Sequence, residues 1–278
     1  NLEGKQTIIK NLYEKFFKGA FPLTVEKLGI VYTPVECVDF IIRSVDDILK
    51  AEFNTSLTAQ NVHILDPFVG TGTFITRLLQ SGLIRPEDME RKYLNEIHCN
   101  EIVLLAYYIA DVNIESVFHE ITRRKTYLPY SGICLTDTFQ LAEKKHNELF
   151  TEFFQDNSKR VKKQMATHVR VIVGNPPYSA KQGSANDNAQ NLSYPNLDMR
   201  IANTYVNESS TTLKNSLYDT YIKAFRWASD RIPENDGGIV AFISNGSWLD
   251  GNAQDGMRRC FEEEFTSIYV PVSYTHLT

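Results

Sequence analysis

The sequence is poor in cysteine and contains no long apolar run. Its four cysteines are widely spaced and form no Cys-x-x-Cys pair, which argues against a disulfide framework and against a cysteine-rich metal site. No stretch reaches the roughly 18 apolar residues of a membrane span, and the first residues lack the basic-then-apolar order of a signal peptide. These absences predict a cytoplasmic protein with buried thiols, no metal and no membrane partner.

The chain also lacks an excess of positive charge. Its 29 Lys and Arg residues are outnumbered by 34 Asp and Glu residues, for a formal net charge of −5, whereas a domain that grips nucleic-acid phosphates unaided usually has a pI above about 9. Two local basic clusters, at residues 123–125 and 159–163, are each either a solvated surface or a phosphate contact. If DNA is the substrate, the basic residues gather on one face or another domain holds the duplex.

The most informative segment present is VRVIVGNPPYSA at residues 169–180. Its apolar β-formers stop at an asparagine, which predicts a buried parallel strand with a site at its carboxyl end. Pro176 and Pro177 hold the backbone extended, so Asn175 points in a fixed direction. The Asn175 side-chain oxygen and the Pro176 carbonyl then form a rigid acceptor pair for a planar NH2 group, and Tyr178 offers a flat face on which a nucleobase can stack.

A second segment, residues 62–80, predicts a strand, a glycine turn and an apolar helix. The strand runs into Asp66, and Gly70 and Gly72 form the turn. Phe74 stands where a dinucleotide-binding turn has its third glycine, which makes close approach of a pyrophosphate less favourable. This unit therefore predicts a nucleotide cradle into which a pyrophosphate fits less well.

Acidic residues complete the predicted cofactor site. Residues 93–115 predict a short strand that ends near Glu96 and a helix after it, and an acid at the end of the second strand can accept hydrogen bonds from ribose hydroxyls. Glu101 is the alternative for that role. Residues 132–139, GICLTDTF, predict a third strand that ends in Asp137.

A capped helix is predicted to begin at Thr33. Pro34 follows at the first helical position and Glu36 completes a capping box. The free N–H groups of such a helix favour a carboxylate nearby.

The remaining segments give the predicted domain limits. Residues 1–30 are predicted to form an N-terminal helical segment that is either a structural helix or the end of an upstream domain, and residues 31–271 are predicted to form the catalytic domain. Residues 179–215 are polar and predict a long loop that closes over a base or lines DNA. Further strands are predicted at 237–243 and near 270, and VSYTHLT at 272–278 resembles translated sequencing-adapter read-through, hence a non-native tail.

The motifs resemble those of the amino-methyltransferases, which methylate exocyclic or amide nitrogens with S-adenosylmethionine. NPPY resembles their motif IV and DPFVGTGTF their motif I; YTP at 32–34, NEI at 95–97 and TDTF at 136–139 resemble motifs X, II and III. In this order they are most similar to the N6-adenine DNA methyltransferases. The resemblance implies a doubly wound, Rossmann-like α/β sheet with helices on both faces and a flipped adenine as substrate.

The resemblance also assigns residues to roles. A threonine of motif X lies beside the cofactor carboxylate, and the acid of motif III accepts the cofactor's adenine amino group while an aromatic lies against its ring. The implied catalytic residues are Asn175, Pro176, Pro177 and Tyr178. The implied cofactor-binding residues are Tyr32, Thr33, Pro34, Asp66, Pro67, Phe68, Gly70, Gly72, Glu96, Ile97, Asp137, Phe139 and Asn175.

Residues 3–21, together with the YTPVE that begins at residue 32, are more specifically similar to the methyltransferase region of large bacterial single-chain restriction–modification enzymes of types ISP and IIG. Those enzymes carry nuclease and helicase parts before this region and a target-recognition domain after it, and they act on double-stranded DNA. The alternatives are methylation of an RNA base or of a protein glutamine, and a cofactor-binding coupler without transfer activity. The intact NPPY argues against the last.

Overall fold

A five-stranded parallel sheet lies at the centre of the computed structural model, which describes residues 33–143, 155–178, 194–212 and 214–271. The spatial order of the strands is β3-β2-β1-β4-β5, and every neighbouring pair is parallel. The strands are β1 (His63–Asp66), β2 (Ile97–Glu101), β3 (Ile133–Leu135), β4 (Val169–Gly174) and β5 (Ile239–Phe242).

Helices connect and cover the strands. The α-helices are α1 (Val35–Phe53), α2 (Thr73–Gln80), α3 (Met89–Arg91), α4 (Leu104–Thr122), α5 (Gln155–Ala166), α6 (Pro195–Ile201), α7 (Thr220–Arg231), α8 (Ser247–Asp250) and α9 (Asp255–Glu264). Single π-helical turns, Lys92–Glu96 and Ala202–Val206, continue α3 and α6. Short 3-10 turns lie at Phe139–Ala142, Asn215–Tyr218 and Asn252–Gln254.

Both faces of the sheet are covered by helices. On one face, Ile64 and Val171 belong to a large apolar core with residues of α1, α2 and α4. On the other, Leu65 and Ile172 pack in a smaller core that includes Trp227 of α7. Alternate residues of β1 and β4 thus enter opposite cores. Because both faces of these strands are buried, their sequences are nearly continuous apolar runs. The predicted doubly wound fold is confirmed.

The sheet has its topological switch point between β1 and β4. The chain proceeds from β1 through β2 to β3 on one side and returns to β4 on the other side of β1. Because all strands are parallel, their carboxyl ends lie at one edge, and the crevice at the switch point is where such sheets bind ligands. The residues that follow β1 and β4, the DPFVGTG and NPPY segments, meet there.

The predicted helix start was wrong by two residues. Helix α1 begins at Val35, its cap residue is Pro34, and no side chain makes a capping hydrogen bond. Thr33 lies one residue outside, where its hydroxyl is free to contact another part of the chain. The predicted end of β2 near Glu96 was also wrong, because that strand begins at Ile97 and ends at Glu101.

Part of the predicted polar loop is helical. Residues 195–206 form α6 and its π-helical continuation, because Leu197, Ile201 and Tyr205 recur every four residues and are buried. Residues 266–271 form no strand, since Ile268, Tyr269 and Val270 are exposed and pair with no strand of the sheet. The predictions for residues 1–30, 179–193 and 272–278 lie outside the described residues.

Candidate active site

Asn175 is the first residue after β4, and its carboxamide is held at both ends. The Nδ2 group donates a hydrogen bond to Thr33 Oγ1 at 3.0 Å, although the two residues are 142 positions apart. The Oδ1 atom accepts from the Tyr178 hydroxyl at 3.0 Å. The next residue, Pro176, is buried. The motif X threonine and the motif IV asparagine are therefore in direct contact.

Tyr178 is a hydrogen-bond donor in this arrangement. Burial raises the pKa of its phenol to about 12, so the group keeps its proton at neutral pH. That single proton is shared between Asn175 Oδ1 and the carbonyl of Ile243, which lies closer at 2.6 Å. The half-buried ring lies near Tyr221, with 6.2 Å between ring centroids. Stacking of a base on this ring stays a prediction.

The glycine turn after β1 needs its glycines for their backbone conformation. Gly70 and Gly72 have φ angles of 55° and 90°, in the left-handed region that other residues rarely adopt. A Cβ on Gly72 would lie 3.4 Å from backbone atoms of Ala110, so α4 lies directly against the turn. Asn113 of the same helix donates from Nδ2 to the Thr71 carbonyl at 3.0 Å and holds the turn in place.

Glu101 is the acidic residue at the carboxyl end of β2. Its Oε2 accepts from the backbone N–H of Gly70 at 2.9 Å, and its Oε1 accepts from that of Val103 at 2.7 Å. Burial raises the pKa of this carboxyl to about 7, although the backbone hydrogen bonds oppose the shift. The glycine turn and Glu101 therefore form one hydrogen-bonded unit at the crevice.

Glu96 lies at the opposite end of the same strand. It is buried and accepts hydrogen bonds from Arg91, from Lys92 Nζ at 2.9 Å and from the Asn61 backbone at 3.0 Å. The neighbouring Ile97 is buried inside β2, whereas Ile102 at the other end is 45% exposed. The sequence Asn-Glu-Ile occurs twice, at 95–97 and 100–102, and the structure places the second copy, not the first, at the crevice.

Asp66 joins the two principal motifs. It ends β1, is 1% exposed, and accepts a hydrogen bond on Oδ1 from the Phe68 backbone at 3.0 Å. Burial raises the pKa of its carboxyl to about 8. A Cβ on Gly174, the residue before Asn175, would lie 2.9 Å from Asp66 Oδ1. Only glycine at position 174 therefore allows β1 and β4 to end in such close contact.

Asp137 and Phe139 form the far side of the site. Asp137 accepts from the Phe139 backbone at 2.9 Å and from the Tyr194 hydroxyl at 2.8 Å, and burial raises the pKa of its carboxyl. Phe139 packs against Phe68 and Tyr194, with ring centroids 5.4 and 5.3 Å away. Thr138 donates to the Pro67 carbonyl at 2.6 Å, which ties the loop after β3 to the loop after β1.

The structure thus brings most of the predicted site residues to the carboxyl edge of the sheet. Glu96 and Ile97 do not lie there, and Tyr32 lies outside the described residues. Sequence reasoning missed Asn113, Thr138 and Tyr194. Thr138 lies inside the TDTF motif, whereas Asn113 lies between Asp111 and Glu115 on α4 and nothing in the local sequence marks it or Tyr194.

A doubly wound sheet with a glycine turn after β1 and NPPY after β4 defines the class of amino-methyltransferase folds. The family model of the N-6 DNA methylases matches residues 4–215 of this chain. The chain therefore belongs to the N-6 DNA methylase family. No curated protein matches the chain significantly.

Solved structures give the same assignment. A nuclease-deletion mutant of the type ISP restriction–modification enzyme LlaGI, in complex with a DNA substrate mimic, is 47% identical with a TM-score of 0.84; the match covers 95% of this chain and 21% of that one. The ATP-dependent type ISP enzyme LlaBIII bound to DNA is 51% identical (TM-score 0.83, coverage 92% and 17%). The DrdV–DNA complex is 42% identical (TM-score 0.87, coverage 95% and 25%). This chain therefore spans a quarter or less of these relatives.

Two further features concern other kinds of site. No helix in the described part of the chain is long and apolar enough to cross a membrane. Within the described ranges, no group of three or more His, Cys, Asp or Glu residues is placed to hold a metal ion.

Proposed function

We propose that this chain transfers a methyl group from S-adenosylmethionine to the exocyclic N6 amino group of an adenine in double-stranded DNA. In this proposal it is the methyltransferase part of a single-chain restriction–modification enzyme. The observation that carries the proposal is the placement of Asn175 and Pro176 at the switch point, directly after β4 and next to Asp66 at the end of β1. Membership of the N-6 DNA methylase family supports it.

The side chains around the glycine turn suit the proposed cofactor. Glu101 keeps lone pairs for ribose hydroxyls beyond its two backbone hydrogen bonds. We assign to Glu101 the role predicted for Glu96, and we assign to the exposed Ile102 the cofactor-binding position predicted for Ile97. We assign to Asp137 the role of accepting a hydrogen bond from the adenine amino group of the cofactor, beside the ring of Phe139. When bound, S-adenosylmethionine supplies an electrophilic methyl group.

The main contribution of the protein to this reaction is to position the substrate amino group. The lone pair of an adenine amino group is delocalised into the ring, so the nitrogen is a weak nucleophile. Hydrogen bonds from its two N–H groups to Asn175 Oδ1 and the Pro176 carbonyl would draw the nitrogen toward a tetrahedral shape and localise that lone pair. Such fixed acceptors lower the barrier without a strong base.

The substrate base must leave the duplex to reach this site. The N6 amino group is paired inside the stack, and enzymes that modify such atoms extrude the nucleotide into a pocket. Asn175 Oδ1 has two lone pairs, of which the shared proton of Tyr178 occupies at most one. The second is free to accept from the extruded base.

The proposal is tested by transfer of a labelled methyl group. The full-length polypeptide that contains this sequence is incubated with tritiated S-adenosylmethionine. Unmethylated duplex DNA, RNA and a glutamine-containing peptide are offered as substrates in parallel reactions. We expect label on adenine N6 of DNA, and loss of transfer with retained cofactor affinity in Asn175→Ala. Asn95→Ala, at an exposed asparagine before β2, is the matched control. Label on RNA or peptide alone, or cofactor binding without any transfer, would contradict the proposal.

A further inference from the structure

The contact between Thr33 and Asn175 joins two segments that are remote in sequence. The cap residue of α1 is Pro34, which makes no side-chain capping hydrogen bond, and Thr33 lies one residue before it. The Thr33 hydroxyl oxygen accepts the hydrogen bond of Asn175 Nδ2 at 3.0 Å. A hydroxyl has two acceptor lone pairs and one donor, so it can meet the NH2 end of a carboxamide.

The orientation of this carboxamide decides whether it can serve the proposed reaction. An asparagine side chain has one acceptor end and one donor end of nearly equal shape. A substrate amino group needs the oxygen, since an NH2 group turned toward it would place donor against donor. A rotation of the Asn175 amide by half a turn would therefore abolish the acceptor pair formed with Pro176.

The backbone at this position is already fixed by its neighbours. Gly174 lies so close to Asp66 that a Cβ would approach Asp66 Oδ1 to 2.9 Å, and two prolines follow Asn175. The rotation of the carboxamide about its last side-chain bond is a remaining freedom, because such bonds to planar groups have broad rotamer wells. A hydroxyl alone could meet either end of the carboxamide, but here Thr33 Oγ1 accepts from Nδ2 while the Tyr178 phenol donates to Oδ1, and the two contacts together hold one orientation.

We propose that Thr33 is a positioning residue that orients the Asn175 carboxamide, so that its oxygen faces the amino group to be methylated. Thr33 acts through Asn175 and needs no contact with the substrate. The bond from Tyr178 supports the same orientation from the other end, and its proton is shared with the Ile243 carbonyl. This inference rests on the proposed function and adds a residue that fixes the geometry of its acceptor.

The test compares two substitutions at position 33. Thr33→Val keeps the shape but removes the acceptor, and Thr33→Ser keeps the hydroxyl. At saturating cofactor and DNA, we expect kcat to fall on the order of 10- to 100-fold in Thr33→Val and to stay within about threefold of wild type in Thr33→Ser. Thr58→Val is the matched control, because the Thr58 hydroxyl donates to Asp88, away from the crevice. Unfolding midpoints show whether each variant is folded, and the cofactor Kd shows separately whether Thr33 also contacts the cofactor.

The same substitution in an Asn175→Asp variant separates an effect on carboxamide orientation from other effects of Thr33→Val. In Asn175→Asp both ends of the side chain are oxygen acceptors, so the orientation of the side chain no longer matters. Adding Thr33→Val to this variant should change kcat by less than about threefold. An equal loss in both backgrounds, a wild-type kcat in Thr33→Val, or a Thr33→Ser variant as slow as Thr33→Val would each overturn the inference. A wild-type protein without transfer to DNA would instead refute the proposed function.

Discussion

The two glutamates at opposite ends of β2 give a sharp prediction about cofactor binding. Glu101→Gln and Glu96→Gln each replace a carboxylate with an amide of the same shape. Glu101 lies beside the glycine turn, in hydrogen-bond contact with Gly70. Glu96 lies at the other edge of the sheet, paired with Arg91 and Lys92. We therefore expect the first substitution to weaken cofactor binding and the second to destabilise the fold.

The contacts set the expected magnitudes. A hydrogen bond to a charged group contributes about 1.5–3 kcal/mol, and loss of about 2–3 kcal/mol in Glu101→Gln raises the cofactor Kd about 30- to 150-fold. Glu96 compensates Lys92, whose side chain is 0% exposed. Removal of one partner from a buried ion pair costs about 3–5 kcal/mol. Because glutamine still offers one acceptor, we expect about 3 kcal/mol of lost stability in Glu96→Gln.

Isothermal titration with S-adenosylmethionine and urea unfolding separate the two effects. The calorimetric titrations are made at a temperature at which both variants are fully folded. A loss of cofactor affinity then cannot be caused by a loss of folded protein. Glu101→Gln turns an NH2 group toward one of the two backbone N–H groups that the glutamate accepts from, so its unfolding free energy should also fall, by about 1–3 kcal/mol. The assignment of the ribose contact to Glu101 would fail if Glu96→Gln weakened binding tenfold while Glu101→Gln bound like the wild type.

Three further substitutions follow from close contacts at the site. Gly174→Ala should cost about 1–3 kcal/mol by overpacking against Asp66 and should lower transfer more than cofactor affinity, as thermal unfolding and transfer assays will show. In the folded protein the Asp66 carboxyl keeps its proton up to about pH 8, whereas in the unfolded chain it loses the proton above its ordinary pKa of 3.8. The free energy of unfolding therefore falls by about 1.4 kcal/mol per pH unit as the pH rises from about 4 to about 8. Asp66→Asn should remove that slope in urea titrations at several pH values. Tyr194→Phe deprives the half-buried Asp137 of a donor and should cost about 1–3 kcal/mol in the same titrations; an unchanged midpoint would show that the bond contributes little.

The fold was largely predictable because the site motifs coincide with strand ends. A run of apolar β-formers that stops at Asp66 or at Asn175 marks both the strand and the edge at which it ends. The order of these motifs along the chain then indicated the family and its sheet. Local sequence was sufficient there because parallel strands covered on both faces leave a strong apolar signal.

The errors arose where two local patterns competed. Asn-Glu-Ile occurs twice within eight residues, and only the pairing of β2 with β1, Ile64 opposite Ile97 and Asp66 opposite Cys99, decides which copy reaches the crevice. Thr33 fits a capping box, yet its hydroxyl is used by a residue 142 positions away. Tyr194 meets Asp137 only through tertiary folding. None of these contacts has a short-range signal.

The basic cluster on α5 bears on how this chain meets DNA. Asn157, near the start of the helix, exchanges two hydrogen bonds with Leu135 at the carboxyl end of β3. Lys162 and Lys163 therefore lie toward the other end of the helix, away from the edge that holds Asn175. Arg160 is already engaged with the Tyr107 hydroxyl. The cluster is thus poorly placed to hold a duplex whose base enters the crevice.

With a formal charge of −5, these 278 residues also exert little long-range attraction on phosphates. We therefore expect the isolated chain to bind duplex DNA weakly and without sequence preference, and we expect target recognition to reside in other parts of the longer protein. Gel-shift titrations with random and site-containing duplexes at about 150 mM salt measure this, since phosphate contacts weaken steeply with salt. Charge reversal of Lys162 and Lys163 should change the weak affinity by no more than a few-fold. Nanomolar, sequence-selective binding by this chain alone would show that a recognition surface lies within it.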